Sequence, residues 1–562
     1  MKTKREGPSV LRKKDIVYYS QYVETVQGGL ETELAALSLG QKLSLLTTHK
    51  NLAFMEGAAA VAFSNALVRD SDYVGSGPCQ RALLYCLERV CQALPLHPAV
   101  LDVYRGGLWD GEQRQRLALL QGLSLSLDIQ KAVDAKVAMG AAEDAYTLLL
   151  ALLHSRADHV GAASALLNLD FLLGRDPHDW LREYQCPAKL LPLWNRKLFL
   201  HYARRGLWRQ ALPLWETVPE TERAPFTRVY AADMLQLAGD TRAAFMAYDA
   251  ALRGDPDLHP VRLRLRELAS PARPQGEVLP AKRIALCLLA RGDAVTVKRA
   301  LRSLAESETG DNPVCIALSE CQSDGCGEAM IREFFPERPV TVARFPVPIG
   351  DAAARNWLLS LPEVRACEHA AFVDGDVAVP DTWLPALLGV MEENPANAVV
   401  GCKVVWPGTG TEAPELRHYY RTLGSMQPGV FTMSADVPAQ GARDTGLYSF
   451  IRPCVDVMGC LQLLRLRAVE EVGGYDPMFS STREAELDLH LRLCLHGYRV
   501  MYCGTVRCVL HDAADGQAVM TPSRSFGVLL GNKIQLNGKH AGNLPHLAAI
   551  ADKLLEDSGG RR

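Results

Sequence analysis

A formal net charge of -3 over 562 residues shows no basic excess, and so gives no reason to expect a nucleic acid or an anionic membrane surface as the main partner. Hydrophobic residues at 48% and charged ones at 22% match ordinary globular chains, and the length allows roughly two to four domains. Met1-Lys2-Thr3-Lys4-Arg5-Glu6 runs into polar sequence and not into an apolar h-region, so no secretory leader is expected. Apolar runs such as residues 146–153 fall short of the ~18 residues a membrane helix needs. The fifteen cysteines are scattered; Cys315, Cys321 and Cys326 come nearest to a cluster but lack a second pair or nearby histidines. The expectation is a cytoplasmic protein with reduced thiols, peripheral attachment to the inner face of a membrane being left open.

Residues 1–14 read as a flexible N-terminus. From 15 to 268 the sequence is rich in Leu and Ala at helical spacing, and Gly75-Ser76-Gly77-Pro78 and Asp176-Pro177 cut it into short helices. Gly206, Ala211 and Trp215 recur as Gly239, Ala244 and Tyr248, each 33 residues further on, and Asp255-Pro256 closes the second unit. Small residues where two helices cross, with an aromatic one turn further on, let antiparallel helix pairs stack. The stretch 197–258 resembles tetratricopeptide-type repeats, whose usual period is about 34 residues. That resemblance implies an all-α, repeat-like domain with a concave face for a protein partner. The other reading is a helical domain that merely packs on its neighbour. Ser270-Pro271-Ala272-Arg273-Pro274-Gln275-Gly276 then breaks the pattern, so 269–280 reads as a linker.

After the linker the rhythm changes. Residues 284–289 read as a short buried strand, 295–304 as an amphipathic helix and 314–318 as the next strand, ending in Ser319-Glu320-Cys321-Gln322-Ser323-Asp324-Gly325. Such alternation predicts an α/β, Rossmann-like and mostly parallel sheet with helices on both faces. Ligands of such sheets bind beyond the carboxyl ends of the strands. Ala371-Phe372-Val373-Asp374-Gly375-Asp376-Val377 reads as a buried strand ending in an acidic turn. At a fraying strand end Asp374 and Asp376 can both reach one cation. A hard divalent ion held this way keeps positions open for phosphate oxygens, which suits a nucleotide diphosphate with Mg²⁺ or Mn²⁺. A plain acidic loop is the alternative.

Residues 281–545 resemble a family-2 glycosyltransferase of GT-A fold, with 546–562 as a C-terminal helix and tail. The fragments that carry the resemblance are Gly350-Asp351-Ala352-Ala353-Ala354-Arg355-Asn356, Asp374-Gly375-Asp376, the helical stretch 383–392, Gly459-Cys460-Leu461-Gln462 and Val472-Gly473-Gly474-Tyr475-Asp476. Glu486-Leu487-Asp488-Leu489 with Arg492, Gly497-Tyr498-Arg499-Val500, His511 and the closing stretch 525–540 complete the set in order. The resemblance implies a metal-dependent transfer of a sugar from a nucleotide-sugar donor to a protein or glycan acceptor. Asp374 and Asp376 then stand at the metal-binding motif, and Gly459, Cys460 and Asp476 on the acceptor side. The chain also departs from the pattern. Ala290-Arg291-Gly292-Asp293 replaces the usual turn after the first strand, Ser319-Glu320 replaces an acidic pair that reads the nucleotide, and Ala485 stands where an acid is expected.

Asp376 is the first choice for metal coordination, with Asp374 on the ribose or a metal-bound water and His511 as a third ligand. Glu486 is the expected general base, with Glu484 and Asp488 as rivals; residues two apart on a helix do not face each other, so they should not share one site. Arg355, followed by Asn356, is expected to clamp the donor diphosphate, with a surface ion pair as the alternative. Asp324 and Glu320 are the remaining donor-side candidates. Residues 406–452, long for a connection, are expected to shape the acceptor side. An inverting outcome is expected, although a retaining branch of GT-A enzymes also carries the Ala-Arg-Asn-Trp-like segment at 354–357. Two further readings stay open: an enzyme of lipid-linked or surface polysaccharide assembly, and a non-catalytic nucleotide-sugar-binding scaffold.

Overall fold

The structure is a computed structural model and describes residues 34–35, 37–52, 57–73, 77–93, 96, 120, 122–271, 283–321, 327–347, 349–407, 413–418, 422–427, 430–434, 443–479, 484–511 and 522–559. The expected N-terminal tail and most of the linker lie outside these residues. The chain divides into two compact units. One is Met1–Val261 with Thr411–Ala413 and Pro438–Thr445; the other is Arg262–Gly410 with Pro414–Val437 and Gly446–Arg562. No described helix is long and apolar enough to cross a membrane.

The first unit is helical, and one turn recurs along it. Leu127–Ala138 is followed by Gly140, Val160–Leu173 by Gly174, Leu191–Arg204 by Gly206 and Pro225–Leu237 by Gly239. All four glycines have positive φ, from 66° to 88°. At each, the following N–H reaches back five residues: Ala141 to Lys136, Arg175 to Asp170, Leu207 to Tyr202 and Asp240 to Leu235, at 2.8–3.0 Å. This hydrogen bond closes the helix with a left-handed residue, a conformation cheap only for glycine. Ala211, Ala244 and Tyr248 beyond the turns are fully buried, and so are Ala145 and Leu149 at the matching places after Gly140. The spacing therefore reaches N-terminally past 197–258. The Gly174 unit departs, with Asp179 and Glu183 at those places and only the short helix His178–Glu183.

Two pieces of the long 406–452 segment belong to this helical unit. Ala413 N–H donates to the Arg205 carbonyl at 3.1 Å, and a Cβ on Gly206 would strike the Ala413 side chain. Asp233, 2% exposed, accepts hydrogen bonds from the hydroxyls of Tyr248 and Thr445. A buried carboxylate is tolerated when its oxygens are bonded in this way.

The second unit is built on β1 (Ile284–Gly292), β2 (Val314–Cys321), β3 (Val340–Arg344), β4 (His369–Asp374), β5 (Val377–Ala378), β6 (Asn397–Trp406) and β7 (Glu415–His418). It continues with β8 (Thr422–Gln427), β9 (Val430–Ser434), β10 (Ile451–Cys454), β11 (Leu461–Arg465) and β12 (Arg499–Leu510). The main sheet runs β10-β12-β6-β11-β4-β1-β2-β3, with β5 on β12 and β7 on β6; β8 and β9 pair separately. Strands β3, β2, β1 and β4 are parallel, in the order of one half of a doubly wound fold. Antiparallel β11 then enters between β4 and β6. The sheet is therefore mixed and not mostly parallel. A strand covered on both faces has the same apolar run in either direction, so the reversal leaves no local mark in the sequence.

Both faces are covered. One face of β1, Ile284, Leu286 and Leu288, packs with Val297, Leu301 and Leu304 of the helix Ala294–Glu306 and with the helix Trp383–Glu392. Residues Cys287 and Leu289, on the opposite face, are equally buried. Arg499, Val500 and the residues leading to His511 are one strand, β12. Its register against β6 shifts between Cys503 and Arg507. Glycine is required in that shift, because a Cβ on Gly504 would run into the Tyr448 carbonyl and the Tyr502 ring.

Candidate active site

The acidic turn lies at the carboxyl end of β4, held from both sides. Asp374 N–H donates to the Cys460 carbonyl at 2.8 Å and Gly375 N–H to the Leu289 carbonyl at 2.7 Å. The chain then enters β5, which pairs antiparallel with the end of β12, Val377 opposite Leu510. One residue on, His511 N–H donates to the Asp376 carbonyl at 2.8 Å. The two residues 135 positions apart (511 − 376) are thereby neighbours in one ladder.

Asp374 is 4% exposed and its carboxylate faces the protein, not an open cleft. Its Oδ1 accepts from Nη2 of Arg355 at 3.0 Å. Arg355 sits in the helix Asp351–Ser360, which starts at Gly350 with φ 78°. Its guanidinium is 2% exposed and lies 5.9 Å from the Phe372 ring centroid and 5.5 Å from that of Tyr475. Nη2 also donates to the Gly459 carbonyl at 3.2 Å, and Nη1 donates to Oε1 of Glu486. Oε2 of Glu486 accepts the Gly459 N–H at 3.0 Å. Burial alone would lower the pKa of this guanidinium, but Glu486 and Asp374 hold it above the usual value.

Gly459 stands against Glu486, not against open space. A Cβ there would overlap the carboxylate of Glu486. Gly459→Ala is accordingly expected to dislodge Glu486 from Arg355 and to cost about 1–3 kcal/mol through overpacking. The urea midpoint of the variant checks this; a midpoint equal to that of the unaltered chain would contradict the geometry.

Asn356 is also turned to the protein. Its Nδ2 donates to the Tyr475 carbonyl at 2.7 Å and its Oδ1 accepts the Tyr475 N–H at 2.9 Å. Tyr475 OH accepts from Nε2 of Gln462 at 2.7 Å, and Oε1 of Gln462 lies 3.3 Å from Nε2 of His490. Nδ1 of His490 is 2.6 Å from Asp456 Oδ1, and both residues are fully buried. Sequence reasoning missed His490 and Asp456. No spacing marks a pair 34 residues apart that meets only through packing.

The three helix carboxylates are separated, as their spacing requires. Glu486 is in the Arg355 network. Asp488, on the buried side of the helix Glu484–Leu495, accepts from Arg492 Nε at 2.8 Å and from Lys539 Nζ at 2.9 Å, and lies 2.9 Å from His540 Nε2. Burial would raise its pKa, but His540, Arg492 and Lys539 together hold it below the ordinary carboxylate value. Asp476 is likewise spoken for by Lys539 at 2.6 Å and by the Met478 N–H at 3.0 Å. Both acids fasten the helix Pro522–His540. Glu484 is 8% exposed, with Oε2 buried and making no hydrogen bond among the described residues. Cys460 is a buried free thiol. Asp324 lies outside the described residues, as does the side chain of Glu320. The backbone of Glu320 extends β2 opposite Arg291. Among the described residues, no three His, Cys, Asp or Glu side chains gather as a metal cage.

Residues 287–472 match the family described as Glycosyl transferase family 2. They form a family-2 glycosyltransferase domain, and it holds the acidic turn, Arg355 and Gly459. No curated protein matches the chain. Among solved structures, the chain is similar to GalNAc-T7 with UDP, GalNAc and Mn²⁺, at 13% identity over 43% of this chain and 45% of that one, TM-score 0.35. It thus spans less than half of that protein. It is also similar to the mannosyltransferase PcManGT from Pyrobaculum calidifontis with GDP-Man and Mn²⁺, at 17% identity over 55% and 85% of the two chains, TM-score 0.32. A third is S. aureus TarS 1-349 with UDP-GlcNAc, at 12% identity over 49% and 71%, TM-score 0.32.

Proposed function

We propose that this chain transfers a sugar from a nucleotide-sugar donor to an acceptor hydroxyl, with inversion at the anomeric carbon. What supports the reading is a family-2 domain whose acidic turn, at a strand's carboxyl end, is tied through Arg355 to Glu486. The donor diphosphate binds beyond β4. Asp376 and His511 offer one carboxylate and one imidazole there, a donor set that suits Mn²⁺ or Mg²⁺ when phosphate oxygens fill the remaining positions. Such an ion, when bound, neutralises charge on the departing diphosphate.

Glu486 takes the proton of the attacking hydroxyl. Each of its oxygens accepts one hydrogen bond from Arg355 or Gly459, which fixes its direction and leaves a lone pair for the acceptor. Asp488 anchors the closing helix, and Glu484 is the alternate base. The helical array recognises the acceptor, protein or glycan, through the faces its repeated turns present.

The test is a panel of nucleotide sugars offered to the full chain with Mn²⁺, reading donor hydrolysis and thermal stability. One donor is expected to be consumed and to raise the Tm, because a ligand bound to the folded state alone stabilises it by mass action; EDTA should abolish turnover. A panel in which no donor is consumed or raises the Tm would rule the enzyme out.

A further inference from the structure

An arginine that clamps a diphosphate has to point its donors at the ligand. Arg355 does not. Its side chain is 2% exposed, and Nη1 and Nη2 are spent on Glu486, Asp374 and the Gly459 carbonyl. The next residue, Asn356, is spent on the backbone of Tyr475 in both directions. Gly474 is shaped to it, since a Cβ there would lie 2.9 Å from Asn356 Oδ1. Two consecutive side chains of one helix therefore gather four separate segments: the end of β4, the Gly459 turn, the start of the helix Glu484–Leu495 and the Gly474-Tyr475 turn.

Charge favours the same conclusion. Two carboxylates brought this close in a buried place repel, and one would take up a proton without a cation between them. A guanidinium supplies that cation with a planar fork that fixes both oxygens in direction as well as distance. Lysine would supply charge without the fork.

We propose that Arg355 is a positioning residue, and that it acts by setting the spacing between the donor-side turn, through Asp374, and the acceptor-side carboxylate of Glu486. The proposal rests on the glycosyl-transfer reading for its catalytic consequence only. The geometry it invokes is independent of substrate. It also replaces the expected role of Arg355 and Asn356 as donor ligands.

The experiment compares Arg355→Lys, Arg355→Met, Glu486→Gln and the double variant Arg355→Met/Glu486→Gln in the full chain. Three readouts are taken: Kd for UDP and GDP with Mn²⁺, kcat and KM for the donor consumed, and Tm. Arg355→Lys is expected to keep the nucleotide Kd within about threefold while kcat falls by roughly 10–1,000-fold, the range a misplaced catalytic group produces. Arg355→Met should lower the Tm by about 5–15 °C because it strands buried carboxylates. Adding Glu486→Gln should return part of that loss. A nucleotide Kd weakened tenfold or more with the Tm unchanged would make Arg355 a phosphate ligand and overturn the proposal, as would Tm losses that simply add. If the unaltered chain consumes no nucleotide sugar, the transfer reading fails, while the Tm cycle still decides whether Arg355 couples to Glu486.

Discussion

Asp376→Asn is expected to lower donor turnover by about a thousandfold and to shift the Mn²⁺ requirement upward. The argument begins from the turn. Asp374 is committed to Arg355 at 3.0 Å, a cation it shares with Glu486. Asp376 lies two residues on, its carbonyl accepting the His511 N–H, and in the proposed function it is the carboxylate that holds the cation. Asparagine keeps the shape of the turn and removes the charge. Lewis-acid stabilisation of a departing phosphate is worth several kcal/mol, and each 1.4 kcal/mol is about tenfold in rate. Turnover measured against Mn²⁺ concentration checks it. If Asp376→Asn kept turnover within about threefold while Asp374→Asn abolished it, the assignment of the two carboxylates would be reversed.

A large loss of stability should come from Asp488→Ala. Arg492, Lys539 and His540 converge on a carboxylate that is fully buried. Removing one member of a buried ion pair costs about 3–5 kcal/mol, because the partner is left without its counter-charge. Lys539 keeps Asp476 at 2.6 Å and Arg492 keeps the Gly474 carbonyl at 2.5 Å, which places the expected loss toward the lower end. The pH dependence follows in sign. The folded-state pKa of Asp488 lies below its ordinary value, so its contribution is complete above the unfolded value near 4 and is lost as pH falls through the depressed one. Unfolding midpoints from pH 7 down to pH 3 should therefore converge for the unaltered chain and Asp488→Ala. Midpoints that stayed equally far apart at pH 3 would mean that the charge of Asp488 is not what holds the helix.

The local elements were legible wherever one segment carries its own signal. The helix Trp383–Glu392 and the buried strand before Asp374 fall where apolar run and turn residues put them. The acidic turn and the set of family fragments could be read in order for the same reason. What could not be read is which side chains face one another. Arg355 and Glu486 are 131 residues apart, and an Arg after small residues at a helix start looks the same whether it faces a ligand or a buried acid. Gly459 is expected from the sequence on the acceptor side, and nothing local in the sequence shows that Glu486 lies against it. In the helical unit the recurrence at 33 residues was visible where Trp215 and Tyr248 mark it. At Gly140 the same place holds Leu149, an ordinary core residue, so the left-handed turn recurs there without the aromatic that marks the spacing in the sequence.

The register shift in β12 has a consequence of its own. Cys503 faces Cys402 and Arg507 faces Lys403, so residues 504–506 act as a spacer between the first half of the strand and the half that delivers His511, and both halves place residues in the core. Side chains alternate along a strand. One residue gained or lost in the spacer would leave the first half untouched and turn everything beyond it inside out. Val506 and Cys508, both in the core, would be displaced with it, and His511 would lose its place beside the Asp376 carbonyl.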